Sequence, residues 1–191
     1  MGMTASTRID FWKSWLKDKT ETQKAQMLAL KESQAESDTL TGLLNRRGLE
    51  NSISTLDNIS RRTGLELVLV FLDLDGLKEA NDKMGYQEGD KLIKTVSSAL
   101  QSSTRNSDIV GRWGGDEFVA VLTNDKTGAK RFSEKMKKEL KEISISGVVA
   151  RWDGKEPLLS LLEKAGEKMK EAKKTKKPGG RSKGVGFMEL I

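Results

Sequence analysis

The chain has no cysteine and no histidine, only two prolines and one tyrosine, and no apolar run as long as a membrane span. Without cysteine there is no disulfide, no thiolate nucleophile and no cysteine-ligated zinc. Without histidine, a general base has to be a carboxylate, a lysine, a tyrosine or water. With neither a membrane-length run nor a secretory h-region, the expectation is a cytoplasmic protein without a membrane span. What is present is a highly charged chain of 191 residues, 36% apolar and 32% charged, enough for one domain and a short appendage. The net charge of +6 suits a nucleic-acid partner. Much of the excess, however, is lysine between Lys164 and Lys183, which a phosphate-binding edge or a solvated tail explains equally well. No alternation of aromatic and basic residues suited to stacking bases is found, and no nucleic acid is expected.

Residues 6–37 contain neither proline nor glycine and read as one helix with an apolar cluster, Ile9, Phe11, Trp12, Trp15 and Leu16, at its start. The segment suits a helix that docks or dimerises at its ends, and equally one that folds back on its own domain. The expected division is 1–37 for this segment and 38–191 for the main domain. In the latter, Leu49, Ile53, Leu56 and Ile59 have helical spacing within 42–62, and residues 67–72 form a continuous apolar run suited to a strand covered on both faces. Further helices are expected over 77–83, 90–102, around Phe132, Met136 and Leu140, and over 158–174. Strands are expected over 142–150 and 186–190. Mixed helices and strands around a hairpin imply an α+β sandwich of helices on a sheet.

Two acidic clusters carry the chemistry. In Arg112-Trp113-Gly114-Gly115-Asp116-Glu117-Phe118, a Gly-Gly pair separates two apolar segments, as in a two-residue hairpin of the primed type. Alone, that string reads as readily as a solvated hairpin end. Upstream, the buried run ends in Asp73-Leu74-Asp75-Gly76, so two carboxylates share one face of a strand exit. They repel each other unless solvent or a cation intervenes, and oxygen ligands of this kind suit Mg²⁺. If the hairpin pairs beside the strand, Asp73 and Asp116 can hold a metal between them. For Asp75, capping the helix near Leu77 is an equal alternative. Asp90, ahead of Lys91-Leu92-Ile93, reads by itself as a helix N-cap, and Arg105 with Asp108 as a surface ion pair.

Gly114-Gly115-Asp116-Glu117-Phe118 resembles the signature of the GGDEF domain, the catalytic unit of bacterial diguanylate cyclases. The opening motif Asp38-Thr39-Leu40-Thr41-Gly42-Leu43-Leu44-Asn45-Arg46-Arg47 is similar to that family's, as are Asp73-Leu74-Asp75-Gly76-Leu77-Lys78-Glu79-Ala80-Asn81-Asp82 and Gly85-Tyr86-Gln87-Glu88-Gly89-Asp90. The resemblance covers roughly residues 36–191. It implies a palm-like nucleotidyl-cyclase fold, with a central mainly antiparallel sheet flanked by helices and preceded by the N-terminal helix. It also implies condensation of two GTP to cyclic di-GMP in a homodimer, with two Mg²⁺ per active-site half and Mn²⁺ as a substitute. By position, Asp73, Asp116 and the Leu74 carbonyl match the metal ligands. Glu117 matches the second acid, a ligand or proton acceptor. Asn81 and Asp90 match the guanine-reading pair. Lys78, Gly114, Gly115, Lys173 and Arg181 match phosphate and substrate contacts, and Arg105 with Asp108 matches the product-inhibition site for cyclic di-GMP. The alternative is a catalytically silent domain that binds GTP or cyclic di-GMP as a sensor.

The chain departs from the family pattern mainly near its C-terminus. Gly166 stands where an Asp is usual, and extra residues through 174–178 displace Arg181, with Lys176 or Lys177 as substitutes. Leu77 replaces a common Phe, Met84-Gly85-Tyr86 replaces Phe-Gly-His, and Ser146 precedes Gly147 in a shifted strand motif.

Overall fold

The computed structural model describes residues 20–24, 26–27, 36–123, 126–175 and 184–190. In chain order the elements are α1 (Arg46–Thr63), β1 (Leu67–Leu74), α2 (Leu77–Met84), α3 (Tyr86–Ser103), β2 (Ile109–Arg112), β3 (Glu117–Thr123), α4 (Lys126–Glu139), β4 (Ile145–Trp152), α5 (Leu158–Thr175) and β5 (Val185–Leu190). The strands form one sheet in the order β2-β3-β1-β4-β5, antiparallel except for the parallel β4–β5 pair. Helices flank this mainly antiparallel sheet, as expected from the sequence.

Strand β1 is buried over its full length because both edges are paired and both faces are covered. Alternation divides its side chains. Leu67, Leu69 and Phe71 pack with Leu49 and Ile53 of α1 and with Leu158, Leu162, Ala165 and Met169 of α5. Val68, Val70, Leu72 and Leu74 pack with Ile93, Val96 and Leu100 of α3 and with Phe132 and Met136 of α4. Each such side chain contributes roughly 1.5–3 kcal/mol on burial. The same alternation assigns Asp73 to the α1 and α5 side, a polar residue at the end of an apolar face.

The termini of several elements differ from the sequence expectation. Helix α1 starts at Arg46, after Asn45 accepts a hydrogen bond from the Gly48 N–H, and not at residue 42. Helix α3 starts at Tyr86 behind Gly85, so Asp90 lies a turn inside the helix and is not its N-cap. The cap of α2 is Gly76, at φ 82° with no side-chain hydrogen bond, so neither Asp73 nor Asp75 caps that helix. Strand β4 begins at Ile145, later than the expected 142.

The chain divides into two compact units, residues 1–36 and 37–191. In the first, Thr20 opens a helical segment by a reciprocal cap. Its hydroxyl accepts from the Gln23 N–H, and its own N–H donates to Gln23 Oε1. The expected helix over 6–37 falls largely outside the described residues. The Trp12 and Trp15 cluster lies outside the described residues.

Two glycines packed against the core have opposite requirements. A Cβ on Gly111 of β2 would lie 2.5 Å from the Leu44 carbonyl oxygen, where the opening segment crosses the strand as a parallel bridge. A Cβ on Gly166 in α5 would make ordinary contact with Phe71, 3.5 Å from Cε2. Gly111→Ala is therefore expected to lose roughly 1–3 kcal/mol. Gly166→Ala is expected to gain about 0.5–1 kcal/mol by removing a helix-interior glycine. Urea unfolding midpoints check both, and a destabilised Gly166→Ala would contradict the packing described for α5.

Candidate active site

The register of the sheet assembles the acidic site. Asp73 of β1 lies opposite Glu117 of β3 on one side and opposite Ser146 of β4 on the other. Beyond it, the Leu74 N–H donates to the Asp116 carbonyl at 2.9 Å, fastening the signature loop to the end of the central strand. Asp73 is only 5% exposed. Its Oδ1 accepts a hydrogen bond from the ammonium of Lys173, which reaches it from the last turn of α5. Burial pushes the Asp73 carboxyl from 3.8 up to about 6. The Lys173 hydrogen bond and charge oppose this shift, while the charges of Asp116 and Asp75 add to it.

Asp75 has a different duty. Its carboxylate accepts from Ser144 Oγ at 2.9 Å and from Ser146 Oγ at 3.0 and 3.1 Å, and its N–H donates to the Ser144 carbonyl. These bonds brace the exit of β1 against β4. They also give Ser146, one of the departures from the family pattern, a structural role.

The glycine pair does not form a two-residue primed turn. The loop occupies residues 113–116, and neither Gly114 nor Gly115 has a positive φ. The Trp113 N–H donates to the Glu117 carbonyl at 2.8 Å. A Cβ at 114 would lie 2.9 Å from Glu117 Oε2, so a larger residue there would displace the tip of the Glu117 side chain. The loop is held from below by Arg112, whose guanidinium donates to the Gly114 carbonyl at 3.1 Å and to the Gly115 carbonyl at 2.7 Å. The same guanidinium pairs with Asp38 at 3.3 Å. Asp38 also accepts from the Thr41 N–H and hydroxyl. Burial raises the Asp38 carboxyl, but Thr41 and Arg112 outweigh it and leave the group below the ordinary carboxylate range. Asp38 opens one motif and Arg112 the other, but nothing local in the sequence shows that the two pair.

Asn81 on α2 and Asp90 on α3 come from helices joined at Gly85. The Asn81 side-chain oxygen is buried without a protein hydrogen-bond partner and lies 1.9 Å from where a Gly89 Cβ would be. Gly89 thus leaves room for an amide that still lacks a donor. Asp90 and Lys78 are exposed. Elsewhere, Arg105 and Asp108 line a cleft of about 240 Å³ together with Arg131 and Lys135. Asp108 is fixed there, accepting from the Arg105 N–H at 2.8 Å and the Thr123 N–H at 2.9 Å. Arg131 and Lys135 escaped the sequence reading because nothing local ties helix α4 to the Arg105 turn. Arg181, Lys176 and Lys177 lie outside the described residues.

Among the described residues no three His, Cys, Asp or Glu side chains converge as a ready-made metal cage. The donors at the strand exit nevertheless fit a hard cation. They are oxygen ligands only, one of them buried beside two like charges. Mg²⁺ commonly takes one or two carboxylates and completes its shell with phosphate oxygens.

The elements described make an α+β domain with acidic residues at the end of its central strand and Lys173 paired to one of them. The chain belongs to the GGDEF domain family: residues 35–178 match the family model described as "Diguanylate cyclase, GGDEF domain". It is similar to diguanylate cyclase DosC of Escherichia coli, 44% identical over 86 residues that cover 45% of this chain and 19% of DosC. It is also similar to cyclic di-GMP phosphodiesterase NbdA of Pseudomonas aeruginosa, 42% identical over 109 residues that cover 54% of this chain and 14% of NbdA. The crystal structure of diguanylate cyclase SiaD with its activator SiaC from Pseudomonas aeruginosa superposes with a TM-score of 0.72 at 27% identity, covering 95% of this chain and 72% of SiaD. The chain spans less than a third of the length of these curated relatives.

The pH dependence of stability follows from Asp73. Its folded carboxyl titrates near 6 against an ordinary 3.8, so the folded state holds the proton more tightly than the unfolded chain. Its favourable contribution is complete below the ordinary value and is lost as pH rises through 6. In metal-free buffer, Asp73→Asn is expected to be more stable than the parent at pH 8, by roughly 2–3 kcal/mol, with the gap closing in acid. Melting curves across that pH range check this, and a gap independent of pH would remove buried charge as its cause.

Proposed function

We propose that this domain condenses two GTP into cyclic di-GMP and two pyrophosphates, as a metal-dependent homodimer. The observation that carries the reading is the register that sets Asp73 opposite Glu117, with the Leu74 N–H bound to the Asp116 carbonyl, where β1 joins the signature hairpin. Membership of the GGDEF family supports it. In each half-reaction a 3′-hydroxyl oxygen attacks the α-phosphorus of the other nucleotide, the bond to pyrophosphate breaks, and the hydroxyl proton is released. Asp73 and Asp116, with the Leu74 carbonyl, would hold Mg²⁺, two ions per half-site with Mn²⁺ as a substitute, which polarises the α-phosphate and neutralises the leaving group when bound. Glu117 stands beside Asp73 as the second acid, taking the hydroxyl proton or completing the ligand set.

Asn81 and Asp90 read the base. A carboxylate accepts from guanine N1–H and N2–H₂, whereas adenine lacks that pair of donors and would leave the acid unmatched at a cost of roughly 1–3 kcal/mol. The buried Asn81 oxygen, without a protein donor, is suited to a donor from the ligand. Lys78, Lys173 and Arg181 neutralise the triphosphate, and the loop at Gly114 and Gly115 lets the backbone approach it. One half-site carries one nucleotide, so two domains must face each other for the two hydroxyls to reach the two α-phosphates. Product binds at Arg105 and Asp108, with the cations of Arg131 and Lys135 in the same cleft, and restrains turnover. GTP as substrate makes the cytoplasm the expected compartment.

A second reading is a catalytically silent domain that senses GTP or cyclic di-GMP. It is favoured by Lys173 sitting on Asp73 and by the missing carboxylate at Gly166. Incubation of the purified protein with GTP and Mg²⁺, with products resolved by chromatography and mass spectrometry, separates the two. Cyclic di-GMP from GTP and not from ATP, reduced at least 100-fold in Asp116→Ala, is the expected outcome. Unchanged GTP after removal of co-purified nucleotide, with Mn²⁺ and concentrated protein also tried, would favour the silent sensor.

A further inference from the structure

We propose that Lys173 is a built-in counter-ion for Asp73 that must withdraw before a divalent cation can use that carboxylate, so that this lysine sets the threshold for metal entry. The proposal rests on the active-site reading above and adds a competition to it. The Asp73 side chain is 7% exposed, and the ammonium of Lys173 occupies its Oδ1. Asp75, whose carboxylate is held by Ser144 and Ser146, stands as a like charge beside Asp73. Asp116 adds a further like charge. A carboxylate so placed requires a cation, since a buried charge stripped of its partner is strongly destabilising.

The position of Lys173 makes it a replaceable cation. Helix α5 is anchored through Ala165 and Met169 against the β1 face that carries Phe71, which fixes the root of the lysine. The lysine side chain itself is 34% exposed and lies on the last turn. A lysine is a point charge on a flexible stem, so its tip can leave Asp73 for solvent or for a phosphate without moving the helix. The contact therefore holds the metal-free site together, and the same oxygen cannot serve ammonium and metal at once. Lys173 acts on metal through Asp73 and is in that respect a positioning residue.

Titration with Mn²⁺ at pH 8 without nucleotide, free ion being read by electron paramagnetic resonance, tests this on the full chain. Lys173→Met and Lys173→Gln are expected to bind Mn²⁺ about three- to tenfold more tightly than the parent, the scale of one partly exposed ion pair. Lys173→Arg, which keeps the charge, should stay within about twofold of the parent. Without metal, the Met and Gln variants should melt below the parent, and Mn²⁺ should raise their melting temperature by more. Equal or weaker Mn²⁺ binding by both neutral variants, while the parent binds, would overturn the counter-ion role and leave the metal site standing. No Mn²⁺ binding by any form, even with a non-hydrolysable GTP analogue, would overturn the metal-site reading and this proposal with it.

Discussion

Strand β1 is hydrogen-bonded along both edges and covered on both faces, and the rest of the molecule is arranged around that double constraint. A strand in this position accepts only apolar side chains until it leaves the core. The first polar residue it carries, Asp73, is still buried. The pairing with β3 and β4 leaves no freedom about which residues flank it, because a slip of one residue would exchange the side chains fitted to α1 and α5 with those fitted to α3 and α4. Glu117, Ser146 and the signature loop are therefore fixed relative to Asp73 by the hydrophobic pattern of the sheet. The stability of the core and the geometry of the acidic site have one cause.

The hairpin contributes the other half of the site, and its loop is held by side chains at a distance in sequence. Arg112 binds two loop carbonyls while pairing with Asp38, and Asp38 is itself held by Thr41. The opening motif thus serves as a support under the loop that carries Asp116. Its arginine suits this task because a planar fork can donate to carbonyls and a carboxylate together. Asp75 performs the corresponding service on the opposite side by tying the exit of β1 to Ser144 and Ser146. Carboxylates that look alike in sequence, Asp38, Asp73, Asp75 and Asp108, have separate duties once their donors are known.

Much of this was legible in the residues. The apolar run 67–72, the helical spacing around Ile53, Ile93 and Leu162, and the acidic strings at 73 and 116 identify the sheet, its flanking helices and the position of the site, because periodicity and burial are local signals. Element ends were less legible. Asp90 reads as an N-cap and lies inside α3, because the competing start behind Gly85 depends on how α2 and α3 pack through Gly89. The Gly-Gly pair reads as a primed turn and is not one, since neither glycine has a positive φ and the loop closes through the Trp113 N–H on the Glu117 carbonyl.

The sequence by itself determined the alternation that covers β1 on both faces, the placing of carboxylates at its exit, and the family to which the motifs belong. Only the tertiary structure decided which charges face each other. Lys173 and Asp73 are far apart along the chain, as are Arg112 and Asp38, and Arg131 within α4 shares a cleft with Arg105 of the turn after α3. Such pairings depend on strand register and helix docking, which sum many weak contacts over the whole domain and leave no signature at the residues they bring together.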